Sequence, residues 1–504
     1  MTDILTHFNN KRILNLEKIT AFLKKNNSFM VSGLTSFLRL FLLADISRQK
    51  RTVFVTNTEQ NALKYKHDLE KFFNIESQIF PYQDISIYDG VAPNLYKYAQ
   101  QVEILKNLEN IPLLIVPVKA MLEKFPETSF YEKNAINIKL DDEIDTSQIA
   151  QKLVSLGYKR VTMVSDIGEF SLRGDIIDVF SLNKYAARIE LWGDTVTDIR
   201  YFDNKTQRSV KKIKETTILP VYKFLLDEDN AETFKNELTQ AAVTMDSGEN
   251  VDIVRKNLQE TLEKIDTEKY FDGIDYFQSY LNKKMKSLPQ LLLDSQNPPA
   301  LVLDESSEIF SKFAQIDENY EKQIEENTQK ALALPLKNKA HLDFADFQTA
   351  VAGLQKISFD NFLDTVSDYT IEFESSLIPS FSSKMEEILA FVEDRMQKGY
   401  KVVIATDYKN RIEDVFCDFE LAVSDDFSVQ NEVFLADNLA LGGSAVEELK
   451  LVVLTDKELF NKKSKDITAK KQNYHKESAD YIESVNDIKE GEYVVHQVHG
   501  LFHS

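Results

Sequence analysis

The sequence predicts an α/β fold: a layered α/β domain interrupted by an antiparallel β-rich insert domain and followed by a second small α/β domain. Three observations carry this expectation. Short apolar runs separated by helix-length amphipathic segments fill residues 1–125 and resume after the insert, the pattern of parallel strands joined by helices. Residues 157–209 instead place apolar residues in short alternating runs broken at Arg173-Gly174, Leu182-Asn183-Lys184 and Gly193-Asp194, the pattern of hairpins in a twisted sheet. Residues 346–457 repeat the strand–helix alternation of the first segment.

In the first segment, Phe29-Met30-Val31 reads as a buried strand, Ser36 to Ser47 as a helix and Thr52 to Thr56 as the next strand. Asn61 to Phe73 has helical spacing, Gln78 to Phe80 is short and extended, and Leu113 to Val116 is a further buried strand. The turn VSGLTSFLR (Val31 to Arg39) stands where an α/β nucleotide-binding fold puts its phosphate loop. A working loop needs glycines for close approach and a Lys-Ser/Thr pair for the phosphates and magnesium. Only Gly33, Thr35 and Ser36 remain of that set, and nothing basic follows until Arg39, so the loop is not expected to bind ATP.

In the insert, Ile176, Ile177, Val179 and Phe180, then Ile189 and Leu191, then Val196, Ile199 and Tyr201 mark successive strands. Arg160 and Arg173 fall near strand ends, among Asp166, Glu169 and Asp175. A guanidinium presents a planar fork that pairs bidentately with a partner's carboxylate, which suits protein recognition. Pairing with those same acids inside the sheet is the competing reading, and the pattern leaves both open.

After the insert, Asp229 to Lys286 is strongly helical, and Asn319 to Leu334 is an amphipathic helix; neither shows metal-ligand spacing. Ala300 to Ser306 is a buried strand ending in Asp304-Glu305. In a motor ATPase such a pair holds magnesium; without a phosphate loop it reads as a strand terminus with solvated acids. In the last α/β unit, Ser383 to Lys398 and Asn410 to Phe419 are helices, and Lys401 to Ala405, Val433 to Leu435 and Leu451 to Thr455 are strands. Ala440 to Ser444 is a turn, and Cys417, among apolar neighbours, is expected to be a buried structural thiol. Asn461 to Glu483 reads as a flexible linker, and Gly491 to Gly500 as the opening strand of a small β-barrel. His496 and His499 lack a third ligand, so no metal is expected there. A barrel this incomplete is expected to leave its strand unpaired and disordered.

A net charge of -21 argues against a surface devoted to DNA, which needs clustered Lys and Arg. One cysteine excludes an internal disulfide framework and fits a reducing cytoplasm. The N-terminus has no signal-like apolar core, and no stretch approaches membrane-spanning length. A cytoplasmic protein with no membrane contact is expected.

The phrases GEFSLRGDIIDVF, RIELWGDTVTDIRYFD and TQRS, in that order, resemble the UvrA-binding domain shared by the excision-repair protein UvrB and the transcription-repair coupling factors (Mfd). The turn at Gly33 is similar to the degenerate loop of the coupling factors and departs from UvrB, which keeps the lysine. EELKLVVLTDKELF resembles the end of their small third domain, and GEYVVHQVHG the opening of their RNA-polymerase-interacting domain. The family continues that last domain through further strands, whereas here Leu501 to Ser504 follow.

The resemblance to the N-terminal half of that family implies a division of the chain. Residues 1–125 and 218–345 would form a UvrB-like degenerate nucleotide-binding domain, and 126–217 the UvrA-binding insert. Residues 346–457 would be the small α/β domain, 458–488 a linker and 489–504 a truncated start of the polymerase-interacting domain. It implies that Arg160 and Arg173 contact UvrA; Ser171 stands where UvrB has a further arginine, so the resemblance does not carry that one contact over. The implied activity is recruitment, linking RNA polymerase stalled at a lesion to nucleotide excision repair, without catalysis, cofactor or metal. ATP, magnesium and DNA translocation would belong to motor domains of the full-length family that these residues lack. Asp304-Glu305 would then be a relic, RNA-polymerase binding is not expected of so short a start, and UvrA binding would be constitutive. The competing readings are a UvrB-like ATP-dependent DNA-loading helicase and an inert truncated product.

Overall fold

A computed structural model describes residues 4–9, 13–83, 94–226, 228–243, 251–268, 270–271, 273–282, 284–330, 341–361, 369–462, 493–496 and 500–503. The strands ahead of the insert are β1 (Phe29–Ser32), β2 (Thr52–Thr56), β3 (Gln78–Ile79), β4 (Leu113–Pro117) and β5 (Lys124–Pro126). Those of the insert are β6 (Ile136–Lys139), β7 (Lys159–Arg160), β8 (Glu169–Arg173), β9 (Ile176–Val179), β10 (Ala186–Trp192), β11 (Thr195–Phe202), β12 (Ser209–Ile213) and β13 (Glu215–Ile218). After it come β14 (Met285–Ser287), β15 (Ala300–Asp304), β16 (Gln355–Phe359), β17 (Thr370–Glu372) and β18 (Ser375–Ser376). The last are β19 (Lys401–Ala405), β20 (Val423–Ser424), β21 (Val433–Ala436), β22 (Ser444–Val446), β23 (Leu451–Thr455), β24 (Tyr493–His496) and β25 (Gly500–His503).

The first sheet runs β17-β1-β16-β15-β2-β4-β3, with every neighbouring pair parallel. Every residue of β1, β2 and β4 is buried, as expected of a parallel sheet covered on both faces. Strands from before and after the insert thus share one sheet. The chain enters and leaves the insert side by side, since β5 pairs with β14 and β6 with β13.

The second sheet has the order β18-β22-β23-β19-β21-β20; β22 pairs antiparallel with both β18 and β23, and the other pairs are parallel. Between the two sheets lies the helix Ser36–Gln49, buried from Phe37 to Ser47. It has no polar stripe to give to water, and only a position covered on all sides accommodates that. Its Phe41 and Leu43 join one continuous core with Phe54 and Val302 of the first sheet and Val403 and Val453 of the second.

The insert is a six-stranded sheet in the order β12-β11-β10-β9-β8-β7, antiparallel except for the β7–β8 edge pair. Ile149 and Leu153 of the helix Thr146–Ser155 pack with Phe170, Ile177, Ile189 and Ile199, covering one face. The helices Glu228–Val243 and Val251–Thr267 build a satellite core with Phe224, Tyr276 and Phe277.

Three expectations are corrected. β16 and β17 fall inside the expected 346–457 unit, yet both add to the first sheet, β16 between β1 and β15. Cys417 is exposed: its helix, Lys409–Asp418, buries Ile412 and Phe416, and one further residue turns about 100° away from that face. The strand at residue 493 is paired, since β24 and β25 form an antiparallel ladder. Most of the expected linker, and His499, lie outside the described residues.

Candidate protein interface and a closed phosphate loop

The turn after β1 is closed by the chain itself. Gly33 has φ of 71°, and a Cβ placed there would lie 1.9 Å from the Phe373 carbonyl oxygen, so only glycine fits. The Leu34 N–H donates to Asn361 Oδ1 at 2.9 Å, and the Thr35 N–H donates to Ser375 Oγ at 3.1 Å. Ser375 Oγ in turn donates to the Gly33 carbonyl at 2.5 Å. In a phosphate loop these N–H groups would face the anion; here two side chains from beyond β16 hold them. Thr35 Oγ1 is buried and has no partner among the described residues, and Ser36 is half-buried at the first turn of the helix.

The acids at the end of β15 are not solvated. Arg39, on the second turn of the same helix, donates to Asp304 Oδ1 at 2.6 Å and to the Phe359 carbonyl at 3.0 Å, and its other nitrogen pairs with Glu305. Burial lifts the Asp304 carboxyl above its ordinary range, with Arg39 and the Tyr65 hydroxyl opposing. Burial works against the Arg39 cation too, but the charges of Asp304, Tyr65 and Glu305 outweigh it and raise its pKa. The guanidinium thus occupies the acids that would otherwise take a magnesium ion. Occupied donors and a neutralised acid pair do not fit a nucleotide and its metal. The sequence showed Arg39 as the first basic residue after the turn; its destination depends on sheet topology.

On the insert, side chains alternate across the sheet. The face away from the Thr146–Ser155 helix carries a row in register over five strands: Ser171, Asp178, Arg188, Arg200 and Lys212. Asp178 is fully buried; Arg188 grips it with Nε at 2.6 Å and Nη2 at 2.9 Å, and Arg173 Nη2 lies 2.6 Å from its other side. Arg188 also covers the Phe202 ring at 4.5 Å. Arg200 reaches Asp198 at 2.5 Å and pairs with Glu190, while Lys212 reaches Asp198 at 2.9 Å. Arg173 remains 48% exposed. It is a half-exposed cation oriented by a buried carboxylate.

The intramolecular reading holds for Arg173, with a different acid. Arg173 pairs with Asp178, whereas Glu169 accepts from the backbone of Ser165 and Asp166. Arg160 is exposed at the edge, with no side-chain partner among the described residues. The register does not bring the two arginines to one face. Arg160 aligns with Phe170 and Lys159 with Glu169, so Arg160 continues the core-side face, while exposed Lys159 shares the face of Ser171 and Arg173. Period-two counting from buried Tyr158 would have found Lys159.

Asp317 and Glu321, one turn apart on the helix Ser306–Gln329, meet buried His341. The Asp317 carboxylate already takes the His341 ring at 2.8 Å and the Phe344 N–H at 3.0 Å, tying the helix to the segment that follows. Among the described residues no helix is long and apolar enough to cross a membrane.

Residues 136–224 match the UvrB interaction domain family. Over 96% of its length the chain is similar to a transcription-repair-coupling factor of Staphylococcus aureus (strain MRSA252), 26% identical over 519 residues. A transcription-repair-coupling factor of Staphylococcus haemolyticus is 24% identical over 98% of the chain. The chain spans 43% of the length of these relatives.

Proposed function

We propose that this chain is the recruitment region of a cytoplasmic transcription-repair coupling factor, binding UvrA on the outer face of its insert and so linking stalled RNA polymerase to nucleotide excision repair. The observation that carries the reading is the exposed, carboxylate-oriented Arg173 on a sheet that matches the UvrB interaction domain. A pre-aimed guanidinium loses little freedom when a partner carboxylate docks, which makes it a good anchor. Lys159 shares that face and Arg160 flanks its edge, so the contact would extend along β7. In this reading the chain acts by binding, and nucleotide chemistry, DNA translocation and the polymerase contact belong to other parts of the full-length protein. The helicase alternative is disfavoured by the Arg39 pair with Asp304 and by the capped turn at Gly33.

The test is titration of UvrA into the parent chain and into Arg173→Ala, Arg160→Ala and Lys159→Ala variants. Arg173→Ala is expected to weaken binding by about 2 kcal/mol, the scale of an anchored hot spot. If the face assignment is right, Lys159→Ala costs more than Arg160→Ala. Absence of UvrA binding by the folded parent would overturn the reading.

A further inference from the structure

Trp192 is the only tryptophan in the chain and is 82% exposed. It ends β10 opposite Thr195, at the tip of a hairpin closed by Gly193 (φ 64°), where a built Cβ meets nothing within 4 Å. Large aromatic side chains are usually the most covered of all, and an isolated one held at a rigid tip is available to another molecule. Alternation puts Trp192 on the same face as Arg188 and Glu190. Glu190 and Arg173 both align with Ile176, so Trp192 lies two strands from Arg173 and one row nearer the tip, on the order of 12 Å away. The neighbouring turn at Gly174 (φ 58°) is equally open. Two hairpin turns, that at Gly174 tied by Leu191 N–H to the Asp175 carbonyl and that at Gly193 by Ile144 N–H to the Asp194 carbonyl, therefore present an exposed indole and an oriented guanidinium at one end of one face.

We infer that Trp192 is the apolar anchor of the interface whose polar anchor is Arg173, seated in a hydrophobic recess of UvrA beside the carboxylate that takes the guanidinium. The inference rests on the proposed UvrA reading. It adds a second contact of different chemistry, carried by the β10–β11 hairpin. Tryptophan and arginine are the residue types that dominate binding energy when both are desolvated in one patch. Continuity with the Arg173 face favours one partner covering both over separate occupants.

Because Trp192 is unique, 5-fluorotryptophan incorporation gives the chain a single ¹⁹F resonance at this position. Addition of unlabelled UvrA is expected to shift or broaden that signal, and Trp192→Ala to weaken UvrA binding at least tenfold, with Trp192→Phe intermediate. The side chain touches little of its own protein, so the alanine variant should keep the parent's circular dichroism and unfolding midpoint. If UvrA binds the parent while Trp192→Ala stays within twofold and the resonance does not move, this inference falls and the Arg173 reading stands. If UvrA does not bind the parent at all, both fall.

Discussion

Arg39 Nη1 lies 2.6 Å from Asp304 Oδ1, joining the helix after β1 to the end of β15 across 265 positions of sequence. The pair is almost wholly shielded from water, and Tyr65 and Glu305 complete it. Removing one partner strands the other in a poorly solvated site. Arg39→Met is therefore expected to destabilise the fold by roughly 3–5 kcal/mol, and Arg39→Met with Asp304→Asn by distinctly less. Urea unfolding of the two variants checks this; equal losses would mean the pair is not coupled.

The capped turn predicts indifference to nucleotide. A productive site at a hundredfold excess of ligand over Kd would add about 2.7 kcal/mol to stability. With Asn361 and Ser375 holding the loop N–H groups and Arg39 holding both acids, magnesium–ATP at millimolar level should leave the thermal midpoint unchanged. A reproducible rise would contradict the closed-loop geometry.

His67 should give the packing between the two sheets a mild pH dependence. Asp68, fully buried, accepts the N–H groups of Ala440 and Leu441 at 2.8 Å each, and His67 Nδ1 lies 2.8 Å from the same carboxylate. The hydrogen bond to Asp68, opposed by burial, raises the imidazole pKa. A raised folded value means that the imidazolium's contribution is fully present below the ordinary pKa of about 6.5 and is lost as pH rises through the folded value. The ring is partly exposed, so the loss above pH 6.5 should be at most about 1 kcal/mol. Unfolding free energies of the parent and of His67→Gln across that range are expected to converge at the alkaline end; parallel curves would remove His67 as the cause.

Much was legible without coordinates because it is written in local pattern. Unbroken apolar runs marked the buried parallel strands, β1, β2, β4, β15, β19 and β23, and period-two alternation with Gly-Asp turns marked the hairpins of the insert. The lysine of a phosphate loop is missing after Gly33, and the three signature phrases of the insert lie within the segment that the UvrB interaction domain matches. Each of these signals needs only a few adjacent residues. That is why the sequence by itself determined the α/β class and the interruption of the first sheet by the insert.

Tertiary structure decided everything that turns on which distant segments meet. β16, with its mixed Gln355-Lys356-Ile357 start, is a core strand only because it lies between β1 and β15. The destination of Arg39 depends on that same strand order. On the insert, a two-residue edge pairing assigns Lys159 to the Arg173 face and sends Arg160 to the other, since a shift of one position inverts every side chain of a strand. Asp178, rather than any acid nearer the turn, holds Arg173 because the β8–β9 register puts it in a dry position with two guanidiniums in reach. Register and long-range strand order arise from burial summed over the whole sheet, and no short window of sequence contains that sum.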